Sequence, residues 1–479
     1  MRFILVTIIL SLFIFISEAY SNQKGYIQIA GLIDLRTRFS DGALDLESLI
    51  SLAKRKGFSL LFINDHDRMV MEYGLFPLRN VIRKRVERNS INRGGAENFI
   101  KEIKNARRRH PDMIIVPGSE SAPFYYWSGS PLKGDLTANN HERRILVIGL
   151  EEPSCYSYLP ILHNGIYLRY MGRELLGLLP CIFSLFIGIF LTLRGISIKW
   201  GLLISVISAL FIWNGIGSLG PSPYDPYHGD LGPAPYQLLI DYVRERGGLT
   251  FWNYPETRSG VRRMGPISVR TEPYPEMLRD TYGYTGFAAL YGDRITITRP
   301  GGLWDQLLLK YIKGERDSPI WGIATADFHS EGEAGEVLGN YPTVFLVRER
   351  SREAVLDAMK RGRMYACSCN YPQMLILEQF TISDPKNRKI AICGDEIALK
   401  GRAIVEIALR AMIPSDKEVR VRLIRSGRPI KEWKVRLPFK VRFEDEEFKA
   451  TEKGFYRLEV LGIGKLLSNP IFFNNESLA

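Results

Sequence analysis

The sequence has little cysteine, and its cysteines follow no recognisable spacing. Only five cysteines occur in 479 residues, and Cys181 lies inside a long apolar run. Cys367 and Cys369 are separated by one residue, which is too close for a zinc knuckle. The sequence therefore predicts neither a disulfide framework nor a cysteine-based zinc site. An oxidising compartment would permit a disulfide, but no spacing favours one pair.

Long polar tracts are also absent, and acidic residues are outnumbered. Hydrophobic residues make up 46% of the chain and charged residues 24%, which excludes the disordered class. The formal charge of +12 favours acidic partners, namely nucleic acid, phosphate compounds or an anionic membrane surface. A chain of 479 residues is too long for one ordinary core and predicts two or three structural units.

Apolar runs indicate contact with a membrane. Residues 1–21 carry an apolar run behind Arg2 and end near small residues, which predicts a signal peptide, with an uncleaved N-terminal anchor as the alternative. Further along, runs at 175–193 and 200–216 predict a transmembrane helical hairpin within 172–218. The alternative is a buried helical hairpin in a soluble core.

The sidedness follows from the short turn of this hairpin. The turn carries Arg194 and Lys199 and no acid, so the positive-inside rule predicts that it is cytoplasmic. The soluble domains are then extracytoplasmic, periplasmic or extracellular, at the cell membrane. The basic segment 79–109 has a helical pattern, which we interpret as a solvated helix face or as a surface attracted to anionic lipid.

Short apolar runs alternate with helical patterns and end in polar residues. One helix begins after Asp45, a capping residue, and stops at Gly57. The strand-like runs lie at 58–63, 113–116, 145–148, 249–252 and 320–324. This alternation predicts an α/β fold with parallel strands and with its polar groups at the strand carboxyl ends, where such folds place their sites.

A set of ionisable residues is expected at those ends. Singly, each is explained as a helix cap or a solvated group; together, they offer carboxylate and imidazole ligands for a divalent metal ion. The residues are Asp34, Arg36, Asp41, Asp65, His66, Glu120, Asp327 and His329.

The order of the motifs SDG, NDHD, PGSE, NYP and DFH resembles the polymerase and histidinol phosphatase (PHP) superfamily. The pattern of that superfamily is H-x-H-T-x-x-S-D-G, T-D-H-D, G-x-E, a histidine, A-H-P and D-x-H. The resemblance spans roughly residues 28–366. It implies a distorted seven-stranded (β/α) barrel that binds up to three metal ions for phosphoester hydrolysis, interrupted here by the transmembrane hairpin.

Several of the metal ligands of the superfamily are replaced in this chain. Counting back from the SDG motif places its first two histidines at Asp34 and Arg36, and the A-H-P histidine at Tyr254. The histidine before the strand at 145 falls on Arg144, with His141 close by. Arg36 offers permanent positive charge between carboxylates, but a guanidinium does not generate hydroxide as a metal does.

The resemblance also implies a role for each candidate residue. Asp41, His66 and His329 match a complete ligand set for one metal ion, whereas a second ion would keep only Asp34, Glu120 and Asp327 around an arginine. The expected cofactor is one divalent ion, Mn, Zn or Fe, or none. The candidate residues are, for catalysis, Asp65, Arg36 and Glu120; for substrate binding, Arg36, Arg144 and Tyr254; and for metal ligation, Asp41, His66, His329, Asp34, Glu120, Asp327 and His141.

The predicted domains are two barrel segments, at 24–170 and 225–366, and a small all-β sandwich at 370–479, where alternating strand patterns contain no titratable cluster. Two functions remain open. One is a membrane-tethered, outward-facing PHP-type hydrolase, a phosphoesterase with a reduced metal site. The other is a non-catalytic pseudoenzyme that binds a phosphorylated or other anionic small molecule or an envelope component. The exported location disfavours nucleic acid.

Overall fold

A computed structural model describes residues 25–164, 171–217, 222–258, 260–293, 295–332, 336–386, 389–448 and 453–474. The predicted signal peptide or anchor at 1–21 lies outside these residues. The helices are α1 (Leu46–Arg55), α2 (Ile91–Gly94), α3 (Ala96–Arg109), α4 (Pro153–Ser157), α5 (Met171–Leu193), α6 (Ile198–Ile216), α7 (Ala234–Glu245), α8 (Met277–Asp280), α9 (Leu303–Ile312) and α10 (Arg352–Arg361).

The strands fall into an N-terminal group and a C-terminal group. The first fifteen are β1 (Ile27–Leu35), β2 (Leu60–Ile63), β3 (Val70–Gly74), β4 (Arg83–Glu87), β5 (Ile114–Ser121), β6 (Tyr126–Ser128), β7 (Thr137–Asn139), β8 (Arg144–Ile148), β9 (Leu249–Asn253), β10 (Gly260–Met264), β11 (Ile267–Thr271), β12 (Gly286–Leu290), β13 (Trp321–Ala324), β14 (Pro342–Val347) and β15 (Met364–Cys369). The other ten are β16 (Leu375–Ser383), β17 (Ile390–Ala391), β18 (Glu396–Ala398), β19 (Ala403–Ala411), β20 (Val419–Arg425), β21 (Arg428–Val435), β22 (Phe439–Asp445), β23 (Gly454–Leu461), β24 (Gly464–Ser468) and β25 (Ile471–Asn474).

The fold is mixed α/β and is built on one long, curled sheet. Its strand order begins β13-β12-β9-β8-β5-β2-β1-β14-β15 and continues into β24, β23, β20 and β21. The sheet curls far enough for the chain after its first strand, β13, to meet β1. The Phe328 amide donates to the carbonyl oxygen of Asp34 at 3.0 Å, and the Arg36 amide donates to that of Phe328 at 2.9 Å. The segment after β13 therefore lies beside the end of β1.

Strand direction differs from the prediction at one position. Within the curl, β1, β2 and β5 are mutually parallel, as are β9, β12 and β13, but β8 runs antiparallel to both β5 and β9. The prediction of a parallel strand at 145–148 is therefore wrong. A continuous apolar run predicts burial on both faces but not direction. Because β8 is reversed, its first residue, Arg144, lies at the edge where its neighbours end.

The basic segment after β2 also differs from the prediction. Residues 83–87 form β4, which pairs antiparallel with β3, and the helical pattern begins only at α2. Glu72 is buried, and its carboxylate contacts the guanidinium groups of Arg83 and Arg85 at 2.9 and 3.2 Å. The alternating basic residues of β4 face this acid, so they stabilise a strand instead of a helix. The remaining part, α3, is helical as predicted.

The C-terminal strands form two layers around a second apolar core. A four-stranded sheet, β17-β16-β19-β22, packs over the end of the long sheet. Strand β14 serves both cores, since Phe345 faces the first core whereas Val344 and Leu346 face the second. The sandwich therefore shares its sheet with the curled part, and the predicted domain limits stay predictions.

Helices α5 and α6 form the predicted hairpin and are apolar enough to cross a membrane. Their apolar windows, Leu176–Leu193 and Ile198–Ile216, have mean hydropathies of 2.4 and 1.5, and only 11% of each is buried. A core helix of a soluble protein would be mostly buried. The helices meet through small residues, since a Cβ on Gly201 would lie 2.7 Å from the carbonyl oxygen of Gly188. Sidedness stays a prediction.

Candidate functional site

Five strand ends bring polar side chains to one edge of the curled sheet. Asp34 lies near the end of β1, Glu120 near the end of β5 and Asn253 at the end of β9, and Arg144 begins the reversed strand β8. Asp327 follows β13. Asp34, Glu120 and Asn253 are at most 1% exposed. The sequence-predicted cluster of ionisable residues is therefore assembled at the expected edge.

The centre of this cluster is the guanidinium of Arg36, which is fully buried. Its Nη1 lies 2.9 Å from Oδ1 of Asp34, and its Nη2 lies 2.7 Å from Oε2 of Glu120 and 3.2 Å from Oδ1 of Asp327. Nη1 also donates to the carbonyl oxygen of Asn64. One cation thus contacts three carboxylates, and no hydrogen bond is formed by its Nε.

The backbone at this edge is strained. Asp34, Tyr254 and Asp327 have φ angles of 71°, 47° and 47°, in the left-handed region that favours glycine. Such conformations cost of order 1–3 kcal/mol each and persist where the surrounding structure fixes them, frequently at functional sites. All three residues belong to the predicted site, and their strain accompanies the convergence of side chains on Arg36.

Asn253 and Tyr254 complete the buried network. The Nδ2 group of Asn253 donates to Oδ2 of Asp34 at 2.8 Å and to Oε1 of Glu120 at 2.7 Å. The Tyr254 hydroxyl donates to Asp34 Oδ2 as well. Asn253 was not among the predicted site residues. The available signal was its position in the NYP motif, directly at the carboxyl end of a buried strand.

Arg144 connects the buried acids to the histidines. Its Nη1 donates to Oε2 of Glu120 and lies 3.1 and 3.0 Å from Nδ1 and Nε2 of His66. Its side chain is 20% exposed, whereas that of Arg36 is fully enclosed. Arg144 is therefore a cation of the cluster that an incoming anion can reach.

Asp41, His66 and His329 lie together at the more exposed side of the cluster. Oδ2 of Asp41 is 3.3 Å from Nε2 of His66 and 3.6 Å from Nε2 of His329. The other ring nitrogen of His329, Nδ1, is 2.8 Å from the carbonyl oxygen of Asp327. Glu336, which was not among the predicted site residues, accepts a hydrogen bond from the His329 amide at 2.7 Å. These contacts direct Nε2 of His329 toward Asp41.

Asp65 and His141 occupy different surroundings. Oδ1 of Asp65 accepts the Thr37 amide at 2.7 Å and the Ser40 hydroxyl at 2.6 Å, and its Oδ2 accepts the Thr37 hydroxyl at 2.6 Å. Asp65 therefore holds the loop that carries Asp41. His141 forms no hydrogen bond or ion pair within the described segments, and its ring packs against Tyr125 at 5.5 Å.

Burial and neighbouring charges separate the acids electrostatically. Burial raises the pKa of Asp34 to about 7. Burial would also raise the pKa of Glu120, but the charges of Arg144 and Arg36 outweigh it and hold that pKa below its ordinary value. Hydrogen bonds with His329 and His66 lower the pKa of Asp41 against the effect of burial. The cluster thus holds acids of very different proton affinity side by side.

The two histidines are shifted in opposite directions. Burial, together with the charges of Arg144 and Arg36, lowers the pKa of His66. Burial opposes protonation of His329 too, but its hydrogen bond with Asp41 raises its pKa to about 9. At neutral pH the exposed side of the cluster therefore carries a protonated His329 against an ionised Asp41, next to a neutral His66.

The donor set suits at most one metal ion. In the described residues, no group of three or more His, Cys, Asp and Glu side chains is arranged to hold a metal ion as it stands. Two of the three separations among Asp41, His66 and His329 lie near the ~3.3 Å expected between ligands whose bonds to a tetrahedral ion are about 2.0–2.1 Å. Asp34, Glu120 and Asp327 do not fit an ion, because each already contacts a buried guanidinium.

Comparison with known proteins gave structural matches only. No family model matches the chain, and no curated protein matches it. One similar solved structure is a two-domain protein from Bacteroides vulgatus containing a predicted PHP-like metal-dependent phosphoesterase, with 11% identity, a TM-score of 0.37 and 91% of each chain covered. Another, predicted to be a metal-dependent phosphoesterase, comes from Bifidobacterium adolescentis, with 14% identity, a TM-score of 0.31, and 68% of this chain and 96% of that chain covered.

Proposed function

We propose that this chain is a membrane-attached, PHP-type phosphoesterase with a reduced metal site. Arginine provides positive charge where the superfamily pattern has metal ligands, and Asp41, His66 and His329 remain to hold one divalent ion. The observation that carries the proposal is the contact of Arg36 with Asp34, Glu120 and Asp327 at a strained strand edge. Three acids around one buried cation indicate a site that evolved around more positive charge.

The side chains divide into three tasks. Arg36 is fully enclosed, so it neutralises the buried acids and does not meet the substrate, in contrast to the substrate-binding role predicted for it from the sequence. Arg144 is partly exposed and presents its guanidinium beside His66, where it would bind a phosphate oxygen. A divalent ion on Asp41, His66 and His329 would supply a Lewis acid and a water of lowered pKa.

Membrane attachment is proposed through α5 and α6. Each helix is long enough to cross the hydrocarbon core, and the lateral faces of both are exposed. Arg194 in the turn between them and Lys199 in the first turn of α6 are basic, so the positive-inside rule supports a cytoplasmic turn with the curled sheet on the opposite side. The substrate class is then an envelope or imported phosphoester.

The second candidate function is a non-catalytic receptor for an anionic ligand. It is favoured by one observation: the acids of the cluster are already paired within the protein. Arg36 and Arg144 contact Glu120, and a protonated His329 faces Asp41. A cluster neutralised in this way needs no metal ion for its stability, and Arg144 would also compete with a metal ion for His66.

Metal content and turnover test the proposal. The full chain, solubilised in detergent, should bind about one equivalent of Mn, Zn or Fe and hydrolyse a generic phosphoester. His329→Ala should abolish both, whereas His110→Ala, which alters a contact with Glu47 at the end of α3, should retain both. Absence of metal and turnover, with retained binding of phosphate compounds, would instead establish the receptor.

A rebuilt motif provides the complementary test. The double replacement Asp34→His and Arg36→His restores the H-x-H pattern of the superfamily at the end of β1. A phosphoesterase scaffold with a reduced site should then bind more metal and gain turnover. If the wild type is active and the double variant is inactive, Arg36 itself serves the reaction and the reduced-site proposal fails.

A further inference from the structure

The connection between β3 and β4, residues 75–82, packs against the end of a proposed membrane helix; we call it the hairpin tip. The Asn80 amide donates to Oδ1 of Asn214 at 2.8 Å, and Nδ2 of Asn80 donates to the Asn214 carbonyl oxygen at 2.8 Å. The contact is close, because a Cβ on Gly217 would lie 2.6 Å from Cβ of Asn80. The hairpin tip is thereby fixed to the last turn of α6.

That turn of α6 corresponds to the edge of a bilayer. Helix α6 has 19 residues, and at ~1.5 Å per residue it is roughly 28 Å long, close to the thickness of a hydrocarbon core. Trp213 precedes Asn214 and is 71% exposed, as expected of a tryptophan at the membrane interface. A segment bonded to Asn214 therefore lies at the level of the lipid headgroups.

The hairpin tip and its flanks expose large apolar side chains. Phe76 is 82% exposed, Leu75 48%, Ile82 52% and, on β4, Val86 53%. Four such residues on one short hairpin are unusual on a surface that faces water only. They belong to the hairpin whose Asn80 is bonded to Asn214, so they lie near the end of the proposed spanning helix α6.

Basic residues surround these apolar side chains. Residues 75–90 contain five basic residues and one acid, Glu87. Arg79, Arg83 and Arg85 form ion pairs with acids of the protein, whereas Lys84 and Arg88 are exposed. Basic groups near an anionic membrane surface strengthen binding to it. Apolar side chains flanked by basic groups are the pattern of segments that lie in the interface plane.

Internal contacts keep the hairpin rigid. The guanidinium of Arg79 lies over the ring of Tyr227 at 3.9 Å, and the Tyr227 hydroxyl accepts the Gly74 amide at 2.6 Å. At the base, the Tyr125 hydroxyl accepts the Glu72 amide at 2.9 Å. The exposure of Phe76 and Leu75 is therefore built into a braced structure.

We infer that the hairpin tip is a second membrane contact, which inserts Phe76 and Leu75 among anionic lipid headgroups beside α6. The inference rests on the membrane attachment proposed above and is independent of the hydrolytic activity. It also orients the site, because β3 begins four residues after His66. His66, at the edge that carries the cluster, is thus separated from the hairpin tip by the length of β3.

Spin-label accessibility tests the contact in the full chain. Phe76→Cys is labelled in a version without the native cysteines and reconstituted into lipid nanodiscs. Leu203→Cys on α6 and Ile413→Cys after β19, both partly exposed, are the lipid and water references. The label at position 76 should be severalfold more accessible to oxygen, relative to an aqueous nickel complex, than the label at position 413.

The reference labels at positions 203 and 413 distinguish failure of the hairpin contact from failure of membrane attachment. A label at 76 that matches 413, with 203 facing lipid, would overturn the hairpin contact and leave membrane attachment intact. A water-exposed label at 203 would overturn the attachment itself, and with it the contact. Neither result depends on whether the protein hydrolyses a phosphoester.

Lipid charge tests the basic flanks. The label at 76 should become more accessible to oxygen when phosphatidylglycerol is added to phosphatidylcholine nanodiscs. Lys84→Gln with Arg88→Gln should remove that increase, whereas the matched pair Lys431→Gln and Lys434→Gln, both exposed on β21, should retain it. Equal accessibility in both lipids would overturn the preference for anionic headgroups.

Discussion

Two arginines of this protein are fully buried next to acids, and their surroundings differ. Arg457 on β23 meets one acid, Asp305 on α9, with Nε 2.6 Å from Oδ1 and Nη2 2.7 Å from Oδ2. Arg36 meets three acids, and none of them takes both ends of its guanidinium. Arg457 thus forms a bidentate pair with a single carboxylate, whereas Arg36 is surrounded by three carboxylates.

The difference separates a structural pair from a site. The Arg457–Asp305 pair joins a helix to a strand of the sandwich, and a guanidinium that matches one carboxylate leaves no charge in excess. Around Arg36 the acids exceed the central cation, two have left-handed backbones, and Arg144 is needed as a further cation. An excess of acids around one buried cation lowers the stability of the fold, so its presence indicates a position under functional constraint.

The largest effect is expected from removing the outnumbered arginine. Arg36→Met fills similar volume but leaves three acids around an uncharged side chain, at a cost of about 5 kcal/mol, the upper end for breaking a buried pair. We expect a large fall in the thermal unfolding midpoint of the detergent-solubilised chain. Arg36→Lys keeps the charge and should lose less. Equal losses of stability in the two variants would show that the acids require the planar geometry of the guanidinium and not only its charge.

Removing the single acid beside Arg457 should destabilise the protein, whereas removing one of the three acids beside Arg36 should not. Asp305→Asn leaves Arg457 buried without a counter-charge and should cost about 3 kcal/mol. Asp357→Asn is the matched control, because its ion pair with Arg361 is exposed and is worth less than about 0.5 kcal/mol. If both variants unfold at the wild-type midpoint, the Arg457 pair is not a structural joint.

The sequence allowed much of the site to be predicted, because strand ends are marked locally. Asp34, Glu120 and Asp327 each follow or end an apolar run, and the curled sheet brings those ends together. Strand direction was not predictable, since a buried run looks alike in either direction. Arg144 therefore could be aligned with a motif, but its place beside Glu120 depended on the reversal of β8.

Other elements were missed for physical reasons. Strand β12, with the sequence GFAAL, contains small residues of low strand propensity, and no polar site residue marks its end. Strand β4 is so basic that its pattern resembles a solvated helix, and only the buried Glu72 of β3 explains its pairing. Tertiary partners of this kind do not appear in a local pattern.

A smaller and pH-dependent effect is expected from removing one acid at the site. Burial raises the pKa of Asp34 from 3.8 to about 7. The folded protein therefore binds the proton more tightly than the unfolded chain, and stability from this group is present below about pH 4 and lost as pH rises to about 7. Asp34→Asn lacks this loss, so its stability relative to wild type should rise by about 2 kcal/mol between pH 5 and pH 7.

Unfolding midpoints of both proteins across this range provide the measurement. In contrast to Asp305→Asn, the variant should be no less stable than wild type at pH 8, because it removes one of three crowded acids. A difference that does not change between pH 5 and pH 7 would mean that Asp34 is ionised throughout, and that Arg36 balances all three acids.

The smallest effect on stability is expected at Arg144, and it concerns metal. This side chain is partly exposed, and Glu120 keeps its contact with Arg36 when it is replaced, so without metal Arg144→His should cost less stability than removal of the fully buried Arg36. It removes the guanidinium that lies 3.0 Å from Nε2 of His66 and adds an imidazole. Metal binding should then be about tenfold tighter, which adds about 1.4 kcal/mol of stability at saturating Zn or Mn.

The measurement is the unfolding midpoint with metal and with EDTA. Arg262→His, which replaces an exposed arginine paired with Glu142, is the control. If Arg144→His gains no more from metal than this control, Arg144 does not stand in the place of a metal ligand. Arginine side chains alone would then neutralise the acids around Arg36. Arg36 and Arg457 would both belong to structural clusters, and neither would mark a functional site.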